Sequence, residues 1–290
     1  MPQLSAARVT IVAGKGGVGK TTVTAVLARA AAAAGKRVLA VELDGKPVLA
    51  ELVSPDVPCE AISASVALET YLREHGFGRV ARRLTTTGVI DVVATAAPGI
   101  DDIVVLGRVK QLERTGEWDV IVVDGPAAGH AITFLTSASG LLDAVRGGPV
   151  RTQAEDVVEL LGDPSRSQVV LVTLPETTPV NEVVQTAYAL EDRVGVRLGP
   201  VVANQVDGLG EPDVPDPSAV DLDGTTEADA DLLAVAARYR RDRRAMQAAE
   251  LARLARELAL PQWHLPLLPA AGLGGDDVTA LIKAMRAGPA

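Results

Sequence analysis

The sequence predicts an α/β protein with a doubly wound, mainly parallel sheet of about seven strands, helices on both faces and a small helical cap. The first observation behind this class is that short runs of Val, Ile and Leu alternate with longer stretches of helical periodicity, which is typical of a parallel sheet covered on both faces. The second is that 48% of the 290 residues are hydrophobic although only two Phe, two Trp and three Tyr are present. The core is therefore expected to be aliphatic.

Each predicted element corresponds to one such run. The strand candidates are residues 8–13, 37–42, 89–93, 120–124, 169–173, 200–204 and 264–267. The helix candidates, where apolar residues recur every three to four positions, are residues 20–34, 100–114, 152–161, 179–194, 230–260 and 276–286. A chain of this length can bury one large core, so we predict a single domain over residues 1–290.

Two regions do not fit the simple alternation. Residues 53–87 have a mixed, mainly helical pattern, and we predict that they form the helical cap together with residues 149–161. Residues 207–231 carry nine Asp and Glu and no Lys or Arg, which equals the net charge of −9 of the whole chain. Because Pro and Gly interrupt this segment, we predict a flexible, solvated acidic loop within the domain.

A cluster of arginines lies in the helix candidate that follows the acidic loop. We expect them to form an exposed, charged helix face, and pairing with the acidic loop or with a partner is the alternative. The residues concerned are Arg238, Arg240, Arg241, Arg243 and Arg244.

The composition excludes several classes of protein. An acidic chain with few aromatic residues lacks both the charge for DNA or anionic lipid and the stacking surfaces for single-stranded nucleic acid, so we expect no nucleic-acid partner. Cys59 is the only cysteine, which excludes an intrachain disulfide and a Cys-rich metal site. We therefore expect no zinc and a reducing, cytoplasmic location. The sequence near Met1 has no basic leader before a long apolar run, so we expect no signal peptide and no stable membrane insertion.

The most specific motif lies between the first predicted strand and the first predicted helix. It matches the spacing G-x-x-x-x-G-K-[ST] and consists of Gly14, Lys15, Gly16, Gly17, Val18, Gly19, Lys20, Thr21 and Thr22. Its glycines let backbone N–H groups converge on phosphate oxygens, and the helix N-terminus adds partial positive charge. We expect Lys20 to contact the β and γ phosphates of a nucleotide and the Thr21 hydroxyl to ligate Mg²⁺. A glycine turn with incidental lysines is the alternative.

A second lysine, Lys15, directly follows the first glycine and marks the deviant form of the phosphate loop. We expect it to stabilise charge on a nucleotide held between two subunits, in the manner of an arginine finger supplied in trans. An ordinary exposed lysine is the alternative. The motif therefore predicts a dimer, either of identical chains or with a paralogue.

Further candidates follow predicted strands, at the edge where α/β sheets bind ligands. Asp124 is expected to hold Mg²⁺ through water. Asp44 is expected to orient or deprotonate the water that attacks the γ-phosphate, with Glu42 as the alternative acid. The amide of Asn204 can read an adenine edge, or it can simply begin a turn. Residues 125–130, rich in Gly, Pro and Ala, are expected to form a loop that senses the γ-phosphate.

These motifs, in this order and spacing, resemble the ArsA family of ATPases, which includes the arsenite-pump ATPase and the ATPase that targets tail-anchored membrane proteins. The resemblance rests on the phosphate loop, residues 124–130, the pair Asn204-Gln205 and residues 265–269, and it extends from residue 8 to about residue 285. It implies a P-loop ATPase fold and a Mg²⁺-dependent dimeric switch that hydrolyses ATP to ADP and acts on a protein client or partner.

The same resemblance implies roles for single residues. Lys15 would reach across the dimer interface, and Lys15, Lys20 and Asp44 would form the catalytic set. Asn204 and the segment that includes Pro266 and Leu267 would hold the adenine ring.

The sequence also departs from the family. The usual Asp-Pro-Ala-His after the second strand is Asp-Gly-Lys-Pro at residues 44–47, and the usual Thr-Ala-Pro-Thr is Gly-Pro-Ala-Ala at residues 125–128. A Cys-x-x-Cys motif is missing, and with three methionines the chain shows no methionine-rich helix for a client. The alternatives are a positioning ATPase of the MinD or ParA kind, a non-hydrolysing partner subunit of a paralogue, and a phosphotransferase or ligase.

Overall fold

The computed structural model describes residues 7–43, 47–74, 76, 78–79, 99–211, 226–270 and 272–288. Its strands are β1 (Val9–Gly14), β2 (Val38–Glu42), β3 (Cys59–Ala61), β4 (Val120–Ala127), β5 (Ser167–Thr173), β6 (Leu198–Val206), β7 (Gln262–Pro266) and β8 (Arg286–Ala287). Its helices are α1 (Lys20–Ala33), α2 (Val48–Val53), α3 (Ala64–Glu74), α4 (Ile100–Arg114), α5 (Ala128–Ala144), α6 (Pro149–Gly162), α7 (Thr177–Val194), α8 (Glu227–Glu257) and α9 (Gly275–Ala284).

The strands form one sheet in the order β3-β2-β4-β1-β5-β6-β7-β8. Every neighbouring pair from β3 to β7 is parallel, and the two-residue β8 alone runs antiparallel to its neighbour. The predicted class, a mainly parallel α/β sheet, is confirmed. The predicted strand at residues 89–93 lies outside the described residues, and the short β3 was not predicted.

The alternation of side chains along β1 shows why both faces of the sheet carry helices. Val9 and Ile11 point into a core built with α3 to α8, and Val12 points into a second core built with α1, α2 and α9. All six residues of β1 are buried, as expected of a central parallel strand. The carboxyl ends of the central strands therefore meet at one edge, which is where the phosphate loop follows β1.

The prediction of a loop at residues 125–130 is wrong in its local structure. β4 continues to Ala127, which pairs with Gly14, and α5 begins at the next residue. Gly125 permits this close pairing because a Cβ there would lie 2.5 Å from the carbonyl oxygen of Val12. The helix has an apolar stripe at helical spacing that the sequence reading missed, formed by the buried Ala131, Phe134, Leu135 and Ala138.

The regions assigned to the helical cap are only partly described. Within residues 53–87, α3 packs against α4, while residues 80–87 lie outside the described residues. α6, at residues 149–162, packs against α4 and α5 in the same helical layer. Of the acidic loop, residues 212–225 lie outside the described residues. The cap, the loop and the single-domain assignment stay predictions.

Candidate functional site

The phosphate loop is shaped by glycines at the junction of β1 and α1. Gly17 and Gly19 have φ of 87° and 88°, in the left-handed region where residues with a Cβ are strained. Gly19 is the N-cap of α1 and has no side chain to accept from the first helical turn. Lys15, Gly16 and Gly17 are exposed. The loop therefore presents backbone N–H groups and a helix N-terminus to solvent, which is the arrangement that binds phosphate.

The predicted magnesium ligands lie in direct contact. The Thr21 hydroxyl donates a hydrogen bond to Asp124 Oδ2 at 2.7 Å. Helix α1 and strand β4 therefore bring the two predicted oxygen ligands together. Thr24, which the sequence reading missed, donates to Asp124 Oδ1 at 3.3 Å. The sequence could have indicated Thr24, because it follows Thr21 by three residues and residues at this spacing share a helix face. A hydroxyl beside a carboxylate fits the oxygen ligands that Mg²⁺ prefers.

Lys15 is engaged within its own subunit. Its Nζ lies 2.6 Å from Glu182 Oε1 on α7, and the two side chains are 43% and 36% exposed. The carbonyl oxygen of Lys15 accepts a hydrogen bond from Lys20 Nζ at 3.3 Å, and this bond holds the Lys20 side chain over the loop. Sequence reasoning missed Glu182, because 167 residues separate it from Lys15 and no local pattern marks it.

Asn204 supports the phosphate loop from behind. It is 4% exposed, its Nδ2 donates to the Val18 carbonyl at 2.9 Å, and its Oδ1 accepts from the Gln205 amide at 3.0 Å. A Cβ on Gly19 would collide with the same Nδ2, so loop and amide are in close contact. An adenine contact by Asn204 stays a prediction, and it would have to use the second N–H of Nδ2 or the second lone pair of Oδ1, because Val18 and Gln205 each occupy one.

The chain takes an unusual course after Asn204. Gln205 has φ of 59°, a strained value for a residue with a side chain. Gln247 on α8 fixes this turn, since its Oε1 accepts from the Asp207 amide at 2.8 Å and its Nε2 donates to the Gln205 carbonyl at 3.3 Å. Next to it, Leu267 donates its backbone N–H to the Val206 carbonyl at 3.0 Å. The predicted adenine segments therefore lie side by side at the ends of β6 and β7.

The expectation of a simply exposed arginine face on α8 is wrong for part of the cluster. Arg240 and Arg244 each contact Glu211 at 2.7 Å, and Arg240 also lies 3.1 Å from Asp207. These two acids are at the beginning of the predicted acidic loop. Asp207 is only 9% exposed and the Arg244 side chain 16%, so the pairing is partly shielded from water. The alternative, pairing with the acidic loop, is correct for these residues.

The two predicted acids after β2 differ in what the structure describes. Asp44 lies outside the described residues, so its role at the attacking water stays a prediction. Glu42 is 5% exposed and ends β2, where its carbonyl accepts from the Ile62 amide at 2.8 Å. Burial raises the pKa of the nearby Cys59 thiol to about 11, and the Glu42 and Asp124 carboxylates add to this effect. The thiol is therefore uncharged at neutral pH.

A cavity of about 410 Å³ opens beside the ends of β2 and β4. Burial and the neighbouring Asp101 carboxylate raise the pKa of Asp102 to about 6, and His130 lowers it to a smaller extent. The cavity combines apolar walls with this acidic pair, and its lining is Leu43, Ala64, Asp101, Asp102, Val105, Pro126, His130, Thr133 and Phe134. Its position adjoins the segment that was predicted to sense the γ-phosphate.

Comparison with known proteins gives consistent matches. The family model described as Anion-transporting ATPase, of the ArsA type, matches residues 7–146, which hold the phosphate loop, Thr24 and Asp124. The ATPase BagA of Mycobacterium tuberculosis is 33% identical over 229 residues, covering 70% of this chain and 66% of that protein. A protein of Halobacterium salinarum, provisionally named an arsenical pump-driving ATPase, is 30% identical over 223 residues, covering 66% of this chain and 34% of its own length.

The chain thus spans slightly less than two thirds of BagA and about a third of the Halobacterium protein. Among the described residues, none of the helices has the length and apolar character needed to cross a bilayer. The parallel sheet, the phosphate loop with its Thr21–Asp124 contact, and these matches lead to one assignment. The chain is a P-loop protein of the α/β class and belongs to the ArsA family of anion-transporting ATPases.

Proposed function

We propose that the protein is a Mg²⁺-dependent ATPase that works as a dimeric switch, and that ATP-driven closure of the dimer acts on a protein client or partner. The observation that carries the proposal is the convergence of Lys20, Thr21 and Asp124 at the N-terminus of α1. These groups supply a cation, a hydroxyl and a carboxylate beside a row of backbone donors, which are the parts that phosphoryl transfer requires.

Each residue has a defined task in this proposal. The backbone N–H groups of the loop and the Lys20 ammonium hold the β and γ phosphates. Thr21 and Asp124 would hold Mg²⁺, the threonine directly and the carboxylate through water, and the ion would supply positive charge to the phosphates. Asp44 orients the attacking water or accepts its proton. Asn204 keeps the loop in place through Val18.

Lys15 supplies the link between nucleotide and dimer. In the proposed closed dimer it contacts the nucleotide of the other subunit, so it must leave Glu182, which holds it at 2.6 Å in the single chain. An ion pair between side chains this exposed is worth about 0–1 kcal/mol. Contact with a triphosphate can replace an interaction of this size, so the Lys15–Glu182 pair does not prevent closure.

The test uses two variants that separate binding from hydrolysis. Lys20→Ala removes a cation from the phosphates and should abolish measurable ATP binding by calorimetry, while its unfolding curve stays that of the parent. Asp44→Asn should bind ATP with nearly unchanged affinity and hydrolyse it about 10²- to 10⁴-fold more slowly. Parent-like ATP binding by Lys20→Ala would contradict the phosphate-loop role. Parent-like turnover by Asp44→Asn would assign the water-directing step to another acid.

A matched control uses a lysine away from the loop. Lys110 on α4 pairs with Asp156, and its replacement by methionine should leave ATP affinity unchanged even where stability falls. A nucleotide-dependent pull-down with the Asp44→Asn protein, which should hold ATP longest, then identifies the client or partner. A client of this switch should be enriched with ATP and lost with ADP.

A further inference from the structure

A polar cavity of about 470 Å³ lies between α4 and α6. Its volume is within the range of about 300–1,000 Å³ that is usual for small-molecule sites. The cavity extends to Thr115, which directly follows α4 and precedes β4 by a few residues. It therefore lies toward the amino end of β4, whereas the phosphate loop lies at the opposite, carboxyl end of the parallel strands. Its other lining residues are Lys110, Gln111, Arg114, Thr152, Gln153 and Asp156.

The Gln153 side chain in this cavity is held in an unfavourable position. It is 8% exposed, and within the part of the chain that the structure describes its amide makes no hydrogen bond. A buried amide without a partner lowers stability. Gly107 of α4 makes room for it, since a Cβ there would collide with the Gln153 amide, and a glycine inside a helix lowers stability further. A cavity-lining amide that is present in spite of both effects is typical of a residue that bonds to a ligand.

The charged groups that line the cavity favour an anion. The Lys110 side chain is 6% exposed and pairs with Asp156, and the Arg114 side chain is 53% exposed and lies 3.4 Å from the other oxygen of the same carboxylate. Two cations therefore face one carboxylate. Arg114 uses only Nη2 in this long contact, and its other N–H groups have no partner among the residues described. The planar fork of an arginine matches the geometry of a carboxylate or a phosphate.

We propose that this cavity binds a small hydroxylated molecule that carries one oxyanion, either a carboxylate or a phosphate monoester. Arg114 binds the oxyanion with the N–H groups that Asp156 does not use, and Lys110 balances the charge of Asp156. The Gln153 amide and the Thr152 hydroxyl bond to hydroxyl groups of the ligand, because each can both donate and accept. The ligand then contacts α4 and α6 together and supplies the partner that the buried amide otherwise lacks.

The test is calorimetry of the full chain, saturated with ADP and Mg²⁺, with three probes at up to millimolar concentrations. Gluconate, glucose 6-phosphate and glucose have hydroxylated bodies of similar size and differ in carrying a carboxylate, a phosphate or no charge. At least one of the two anions should bind at least about tenfold more tightly than glucose, since a bond to a charged group is stronger than a neutral one. Which anion binds distinguishes the carboxylate from the phosphate. Binding of neither anion, or equal binding of glucose, would overturn the proposal.

Two variants locate the bound anion in the cavity. Arg114→Met should weaken binding by at least about tenfold. Gln153→Met should weaken it by about two- to tenfold, yet thermal unfolding should show equal or higher stability, because an apolar side chain of similar length replaces a buried amide without a partner. Arg73→Met on α3 is the matched control, since this arginine is 62% exposed and pairs with Glu69, and it should bind like the parent. Lower stability of Gln153→Met with unchanged binding would show that the amide is structural and would contradict the proposal.

The phosphate loop is a second place where an oxyanion can bind, and Lys20→Ala separates the two sites. Binding of the probe in the cavity should be the same in Lys20→Ala as in the parent, because the cavity lies away from the loop. Binding that is lost in Lys20→Ala and kept in Arg114→Met would place the anion at the phosphate loop and would overturn the proposal. None of these outcomes bears on the proposed ATPase function, which is tested by ATP binding and hydrolysis.

Discussion

Replacing Asn204 by alanine separates two possible roles of this side chain, which are holding the phosphate loop and contacting adenine. The amide is 4% exposed and bonds on both sides, to the Val18 carbonyl at 2.9 Å and to the Gln205 amide at 3.0 Å. Alanine removes both bonds and leaves the Val18 carbonyl and the Gln205 N–H without their partner in the Asn204 side chain. If Asn204 holds the loop, the variant should be less stable and should bind every triphosphate less well.

The size of the effect follows from the burial. A buried polar group that loses its partner costs about 1–3 kcal/mol, so the loss of two bonds should lower the free energy of unfolding by about 2–6 kcal/mol. That is a large part of the 5–15 kcal/mol that typically stabilises a domain. Asn181→Ala is the matched control, since Asn181 is exposed and accepts one bond from Arg253 at 2.9 Å. Its replacement should cost about 1 kcal/mol or less.

The assay is urea unfolding without nucleotide, combined with calorimetry of ATP and inosine triphosphate. A loop-holding role predicts that affinity for both nucleotides falls by the same factor, because their phosphates are identical. An adenine-reading role predicts that ATP affinity falls and inosine triphosphate affinity does not. Unchanged unfolding together with a loss confined to ATP would refute the loop-holding argument and support the adenine contact predicted from the sequence.

Three further changes test other parts of the site. Gly14→Ala places a Cβ against the Val172 carbonyl and should destabilise the protein by about 1–3 kcal/mol in thermal unfolding, whereas Gly16→Ala, with no atom within 4 Å of its Cβ, should stay within about 0.5 kcal/mol. Burial and the Asp101 carboxylate raise the pKa of Asp102 from 3.8 to about 6, so the folded protein loses stability as the pH rises from about 4 to 6. Asp102→Asn should remove this loss and raise the free energy of unfolding at pH 7 by about 1–2 kcal/mol. Equal stability of the parent and the variant at pH 7 would contradict this prediction. Glu182→Gln frees Lys15 and should strengthen ATP-dependent dimerisation by up to about fivefold in light scattering, and a weaker dimer would show that the pair assists closure.

Local sequence patterns predicted most of the fold. α4 occupies residues 100–114 as predicted, and the other elements that were both predicted and described begin within a few residues of their predicted positions. Long aliphatic runs mark the strands of a parallel sheet clearly, because both faces of such strands are buried. The short β3 and β8 and the helices α2 and α3 had no predicted bounds of their own. α5 was missed since Gly125 and Pro126 precede it and suggest a turn. In the structure, Gly125 instead permits β4 to pair closely with β1. Local residue preferences cannot predict this role, because it depends on a neighbouring strand that is distant in the sequence.

The site was predictable where residues are close in the chain or lie at strand ends. The phosphate loop and the contact of Thr21 with Asp124 follow from spacing and from the shared edge of parallel strands. Glu182 and Gln247 were not predictable, because each contacts the site from a distant helix and their residue types are common on helix surfaces. Such contacts depend on how helices are placed over the sheet, which a single sequence does not specify residue by residue.

The most direct test of the central claim, that Lys15 acts in trans on nucleotide held by a partner subunit, is the ATP hydrolysis rate of a mixture of two inactive variants. Lys15→Ala keeps Lys20 and should hold ATP, whereas Lys20→Ala should hold none but retains Lys15. Mixed dimers then have one working site, with ATP on the first subunit and Lys15 from the second. The account predicts that equimolar mixing restores hydrolysis to a substantial fraction of the parent rate, and a mixture as inactive as its separate components would contradict it.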